Sequence, residues 1–236
     1  MIEKTELKNP PLKEIIFSIS FTESLSVDIL KDFKNNSKVC NDFPTVNNGY
    51  HTDLIDQTGQ PPTTTITHDG FIFSCDKPFR KILQIRKGAL SFHIINQYVR
   101  FDEIINELKE YWSILNGVTT KLTVSIFSIR YLNFLELEQN EKIDDIITIH
   151  SVSPFRDDIE NEFIQHRFSY SKDKSIKVNI VATNVTNNKV PGIILDIILS
   201  KKIESEFDIY DFYSMREAKN DIFFKSITDK TLKKYT

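Results

Sequence analysis

Every second residue from Ile15 to Phe21 is apolar, set against Glu14, Ser18 and Ser20, which predicts a strand with one buried face. Asn9-Pro10-Pro11 ahead of it excludes a helix at that point. Ser26 or Ser24 follows as a cap for a short helix over Asp28 to Lys34, where Ile29, Leu30 and Phe33 share one side. From Cys40 to Pro62 neither period is visible, and Pro44, Gly49, Gly59 and Pro61-Pro62 punctuate the chain. A loop of that length in a compact domain is usually functional, so this segment is one expected place for binding. Two tight hairpins are then predicted. Thr63–His68 and Phe71–Cys75 flank Asp69-Gly70, and 81–86 and 89–95 flank Lys87-Gly88, which makes a four-strand meander. Asp102 opens a helix through Asn116 with Ile104, Ile105, Leu108, Tyr111, Trp112 and Leu115 along one stripe, and Gly117 ends it.

The same order recurs in the second half. Leu122–Leu137 is a long strand and Ile143–Ile149 a helical stretch. Strands follow over 163–170, 175–183 and 192–200, parted by 171–174 and by Asn187-Asn188. Asp208 opens a helix carrying Ile209, Phe212, Tyr213, Arg216, Phe223 and Phe224, and Ser226-x-x-Asp229 reads as a box that starts a last one. The fold class expected is α+β, with residues 1–117 and 118–236 as two successive strand-helix-antiparallel meander-helix units packed into one globular body. Element order alone carries the idea of a repeat, since no residue-level repeat accompanies it. Whether the two meanders join into one curved sheet with helices on one face stays open at this point.

Composition changes little. At 236 residues, 40% hydrophobic and 27% charged, the chain has enough apolar material for a large core. The net charge of −3, with both signs interspersed, gives no general reason to bind nucleic acid or an anionic membrane. The start of the chain lacks a secretory pattern and no stretch approaches the ~20 apolar residues of a membrane span, so a cytoplasmic protein is expected. Cys40 and Cys75 are then free thiols in a reducing compartment, read as small core residues.

Chemistry-bearing motifs are absent. The six glycines are too dispersed for a phosphate-binding or dinucleotide-binding loop, and no G-x-S-x-G elbow supplies a serine nucleophile. His51, His68, His93, His150 and His166 lie more than a dozen residues apart, without metal-ligand spacing. No cofactor and no metal is therefore expected. His68-Asp69 invites an acid-base reading, but the aspartate serves the predicted turn with Gly70.

Strict alternation instead gathers polar side chains on the face away from the helices: Glu14, Gln84, Arg86 and His93 from the first unit, and Gln165, Arg167, Lys177, Asn179 and Asp196 from the second. A solvated sheet face explains most of them. Asp196 is different, because it interrupts the apolar run 193–199 and so needs a cationic partner, for which Arg130 in Arg130-Tyr131-Leu132-Asn133 is the natural candidate. Lys225, Lys230, Lys233, Lys234 and Tyr235 at the end of the chain read as cations at a helix C-terminus rather than as a nucleic-acid contact.

Three stretches, Asn9-Pro10-Pro11-x-x-Glu14-x-Ile16-Phe17, Arg130-Tyr131-x-Asn133 and the helix end from Ala218 to Thr228, resemble a family of uncharacterised bacterial proteins described as sporadically distributed. The resemblance implies no activity, cofactor or catalytic residue. It does imply horizontally moved genes, and with them a phage-defence, toxin-antitoxin or mobile-element setting.

The functional expectation is a non-catalytic recognition or accessory protein that binds a protein partner or a small-molecule ligand. Its candidate residues are Glu14, Arg86, His93, Arg130, Asn133, Arg167, Lys177, Asn179 and Asp196. Two alternatives remain. One is a nucleic-acid binder on the same face using Arg86, Arg167 and Lys177; the other is a hydrolase assembled in space from His93, His166, Arg130 and Asp196. Assembly into homo-oligomers is left open.

Overall fold

The computed structural model describes residues 7–55, 63–78, 80–119, 121–149, 165–172, 176–203 and 206–236, and of 53–55, 63, 165, 166 and 172 only the backbone. The helices are α1 (Val27–Lys34), α2 (Ser37–Asp42), α3 (Phe101–Val118), α4 (Ile143–Ile146), α5 (Phe212–Ser226) and α6 (Asp229–Tyr235). Among the described residues nine strands form a single antiparallel sheet: β1 (Leu12–Phe21), β2 (Thr45–Ile55), β3 (Thr63–Cys75), β4 (Arg80–Arg86), β5 (Ala89–Ile95), β6 (Val124–Glu136), β7 (Gln165–Lys172), β8 (Ile176–Asn187) and β9 (Val190–Lys202). Their spatial order is β2-β3-β4-β5-β1-β6-β9-β8-β7. The fold is thus α+β, and the strands on either side of the β1–β6 pair belong to one sheet. Among the described residues no helix is long and apolar enough to cross a membrane.

Alternation along the strands decides which face is dry. Ile15, Phe17, Ile19 and Phe21 of β1, Leu90, Phe92 and Ile94 of β5, and Leu195, Ile197 and Leu199 of β9 are all buried. Helices cover this face. The rings of Phe101 and Phe212 meet Phe17 at 5.7 and 5.2 Å, Phe212 also meets Phe127 at 4.9 Å, and Tyr111 stacks edge-on to Phe92 at 5.6 Å. Aromatic pairs at these spacings and tilts add attraction beyond their buried area. Toward the β2 edge, Phe33 of α1 packs on Phe73. Of the two candidate serines it is Ser26 that caps α1, accepting from the Ile29 N–H.

Several expectations are corrected. Asp69-Gly70 is not a hairpin turn: β3 runs straight through it and pairs with β2 on one side and β4 on the other. Gly70 is required for a different reason, since a Cβ there would stand 1.9 Å from the Ile85 carbonyl oxygen. A register shift between Gly49 and Tyr50 accommodates it on β2. The segment 40–62 is in large part regular, holding the end of α2 and the whole of β2; residues 56–62 lie outside the described ones. α3 starts at Phe101 without a side-chain cap, and Asp102 instead accepts a hydrogen bond from the Tyr213 hydroxyl at 2.7 Å. α6 is capped by Thr228, while Ser226 ends α5 and donates back to the Ile222 carbonyl. Cys40 is exposed rather than a core residue. The Asn187-Asn188 turn falls one residue later, with Asn188 and Lys189 both at positive φ, the backbone that a two-residue hairpin requires.

Candidate functional site

The register defines three neighbouring rows across the face opposite the helices. The first joins Arg80, Ile95, Glu14, Leu132, Asp196, Val181 and Arg167. The second joins Ile82, His93, Ile16, Arg130, Ile198, Asn179 and Ser169, and the third Gln84, Ser91, Ser18, Ser128, Ser200, Lys177 and Ser171. On these three rows only Asp196 is buried. Eight of the nine candidate residues therefore share one face, with Arg86 one row beyond the third. Arg86 and Lys177 stand five strands apart, roughly 24 Å at the usual inter-strand spacing.

Two hydrogen-bonded groups organise the face. In one, Asp69 accepts from Arg86 Nη1 at 3.2 Å, and the Gln84 side-chain oxygen accepts from Arg86 Nε and Nη2 at 3.1 and 2.9 Å. The Gln84 amide nitrogen then faces Ser91 Oγ at 3.5 Å. Ser91 Oγ lies 3.1 Å from His93 Nε2, and His93 Nδ1 lies 2.8 Å from Glu14 Oε1. With a neutral imidazole, Nδ1–H donates to the carboxylate and Nε2 accepts from the hydroxyl, so the run from Arg86 to Glu14 has one consistent donor direction, and Asp69 accepts from Arg86 at its other end. In the other group Arg130 grips Asp196 through both carboxylate oxygens, at 2.9 and 2.7 Å. Hydrogen bonding to Asp196 raises the Arg130 pKa, and the charge of Glu14 adds to this. The expected partner of Asp196 is thus the observed one.

Asn133 does not belong to this face. Counting from Arg130 it falls on the other parity, where it is buried and donates from Nδ2 to the Leu195 carbonyl at 3.1 Å. His166 pairs with Ala182, a position on the helix-covered face, and neither its side chain nor that of Gln165 is among those described. Asp69 and Ser91 are members of the network that sequence reasoning missed. The signal for Ser91 was available, because it is two residues from His93 and so on the same face.

Ser91, His93 and Glu14 stand in the order hydroxyl, imidazole, carboxylate used by nucleophilic hydrolases. What such chemistry also needs is a pair of free donors for an oxyanion. Here the strands around Ser91 pair with one another on both sides of β5, which commits their amides to the ladder. Arg86 and Arg130 are likewise committed, each to a carboxylate. The C-terminal lysines are similarly occupied: Lys230 and Lys234 meet Glu141 at 2.9 and 2.6 Å, and Lys225 meets Asp221 at 2.8 Å. Among the described residues no cluster of three or more His, Cys, Asp or Glu has the spacing to hold a metal ion.

The helix-covered side holds a cavity of about 820 Å3 between the segment before β1, residues 98–104 and α5, with Tyr131 and Asn133 at its floor and Arg216 and Lys219 on its wall. Burial, with a smaller contribution from Arg216, pushes the Lys219 ammonium down to about 7. Arg216 was visible in the sequence only as part of a helical stripe. No protein-family model matches the chain, and no curated protein matches it in sequence.

Proposed function

We propose that the chain is a non-catalytic recognition protein that docks a protein partner on the sheet face that no described helix covers, around Glu14, His93, Arg130 and Asp196. The observation that carries this reading is the hydrogen-bonded network spread over that face and interleaved with partly exposed Ile16, Ile82, Leu132 and Ile198. Side chains already held in place lose little freedom on binding, so a pre-ordered polar face favours specific docking. Apolar residues between the charges supply area that becomes dry on contact. In this reading Arg86, Arg167, Lys177 and Asn179 form the outer part of the surface, and Asn133 has no part in it. The pairing of Arg86 and Arg130 with carboxylates disfavours the nucleic-acid alternative, which needs cations free for phosphate. The two units at 1–117 and 118–236, a cytoplasmic location and the phage-defence, toxin-antitoxin or mobile-element setting implied by the resemblance belong to the same proposal.

The test is affinity capture from a lysate of the organism that encodes the chain, with cross-link mapping. A partner held by the wild type and cross-linked through Lys177, or through exposed Lys202 two residues beyond Ser200 on the same side of β9, with capture reduced at least tenfold in His93→Ala/Arg130→Ala, supports the reading. Capture that is unchanged in that variant, or cross-links confined to the helices, removes it. A second reading, a serine hydrolase, is favoured by the Ser91–His93–Glu14 arrangement alone. A fluorophosphonate probe separates the two: labelling of Ser91 that His93→Ala abolishes would replace recognition by hydrolysis.

A further inference from the structure

The cavity behind the sheet is unlike the open face in both shape and charge. Its volume, about 820 Å3, is within the range of roughly 300–1,000 Å3 common to small-molecule sites. Leu7, Leu12, Val99, Ile104 and Phe223 make much of its lining apolar. Into this lining α5 projects two cations one turn apart, Arg216 and Lys219, each set over an aromatic ring. The Arg216 guanidinium is 4.9 Å from the Phe101 centroid, and Lys219 Nζ is 3.9 Å from that of Tyr131. Among the described residues neither makes an ion pair or a hydrogen bond. The acidic residues nearby do not answer them: Asp221 is paired with Lys225, and Glu217 is exposed.

Two cations held without a counter-charge beside dry surface are costly, and the cost falls if an anion enters between them. The depressed basicity of Lys219 is the mark of that cost, being caused first by burial and then by Arg216. Tyr131 contributes no counter-charge either, since burial raises its own pKa and keeps the phenol neutral. A carboxylate has two oxygens with which to accept from both cations at once.

We propose that this cavity binds a small amphipathic carboxylate, with its head group between Arg216 and Lys219 and its hydrocarbon body against Leu12, Val99 and Phe223. The site is separate from the open sheet face and stands or falls independently of it. Tyr98, 53% exposed, marks the mouth, and Asn133, 5% exposed, offers a polar group at the floor.

Titration calorimetry with octanoate and 1-octanol tests the proposal, because the two probes share a chain and differ in head group. Octanoate is expected to bind the full chain one to one and at least tenfold more tightly than 1-octanol. Lys219→Met and Arg216→Met are each expected to weaken octanoate at least tenfold while leaving 1-octanol within threefold. Lys177→Met, on the open face, is expected to bind octanoate as the wild type does. Equal affinity for the two probes, no octanoate heat at millimolar concentration, or unchanged octanoate affinity in both cavity variants would overturn it. Since each cavity variant removes a cation from apolar surroundings, retained 1-octanol binding also reports that it has folded.

Discussion

The Arg130–Asp196 pair allows the energetics of the open face to be worked through, because its two members are buried unequally. The Asp196 side chain is 11% exposed and that of Arg130 42%. Replacing Arg130 by Met leaves a carboxylate on β9 without its two hydrogen bonds and with little access to water. Stranding one partner of a fully buried pair costs about 3–5 kcal/mol, and partial solvation of this site brings the expected loss to about 2 kcal/mol. Replacing Asp196 by Leu leaves a guanidinium that already reaches solvent, while the new side chain packs with its row neighbours Leu132 and Val181. The expected change is then within about 1 kcal/mol of zero. The double variant Arg130→Met/Asp196→Leu should fall near the wild type, so the two single effects should not add. Urea unfolding of the four proteins under one buffer condition measures all of this. The reasoning is refuted if Asp196→Leu costs as much as Arg130→Met, or if the double variant loses the sum of the two. A double variant of wild-type stability also separates scaffolding from recognition, because loss of partner capture in it cannot come from unfolding.

Two further outcomes follow from local geometry. Gly70→Ala should destabilise by about 3 kcal/mol in urea, since the added methyl meets backbone at 1.9 Å, whereas Gly117→Ala, with nothing within 4 Å and a helical setting, should gain about 0.5 kcal/mol. Hydrogen bonding from Lys234 holds the Glu141 carboxyl down at about 2, against an ordinary value of 4.5, and Lys230 adds to it. Its contribution is therefore complete above about pH 4.5 and is lost as the pH falls toward about 2. Amide exchange in α6 should accelerate across that window, and Glu141→Gln should remove the acid dependence; an unchanged profile in the variant would contradict the assignment.

Strand alternation and helical stripes were legible along the chain because burial of one face writes a period into residue type. That is how β1, β4, β5, α1 and α3 could be placed, and how the isolated Asp196 could be assigned Arg130, a cation on the neighbouring strand β6. Parity also carried the information that Asn133 faces away from Arg130. Other features leave no such mark. β2 is an edge strand whose Asn47, Asn48 and His51 are exposed, so its composition is that of a loop and only pairing with β3 makes it a strand. Asp69-Gly70 has the residues of a turn, but the glycine answers to the Ile85 carbonyl of a neighbouring strand, a contact made by tertiary approach.

What the amino-acid order determined on its own was the secondary-structure class and, for strands such as β1, β4 and β5, the division into an apolar and a polar side, because both depend on neighbours a few residues apart. Tertiary structure alone decided that β1 pairs with β6 to make one sheet, that Ser91, His93 and Glu14 form a hydrogen-bonded line, and that two cations of α5 overlook a cavity. Those outcomes depend on contacts between residues far apart in the chain, 79 positions for His93 and Glu14 and more than 100 for the β1–β6 pair Phe17 and Ile129, and no local period encodes them.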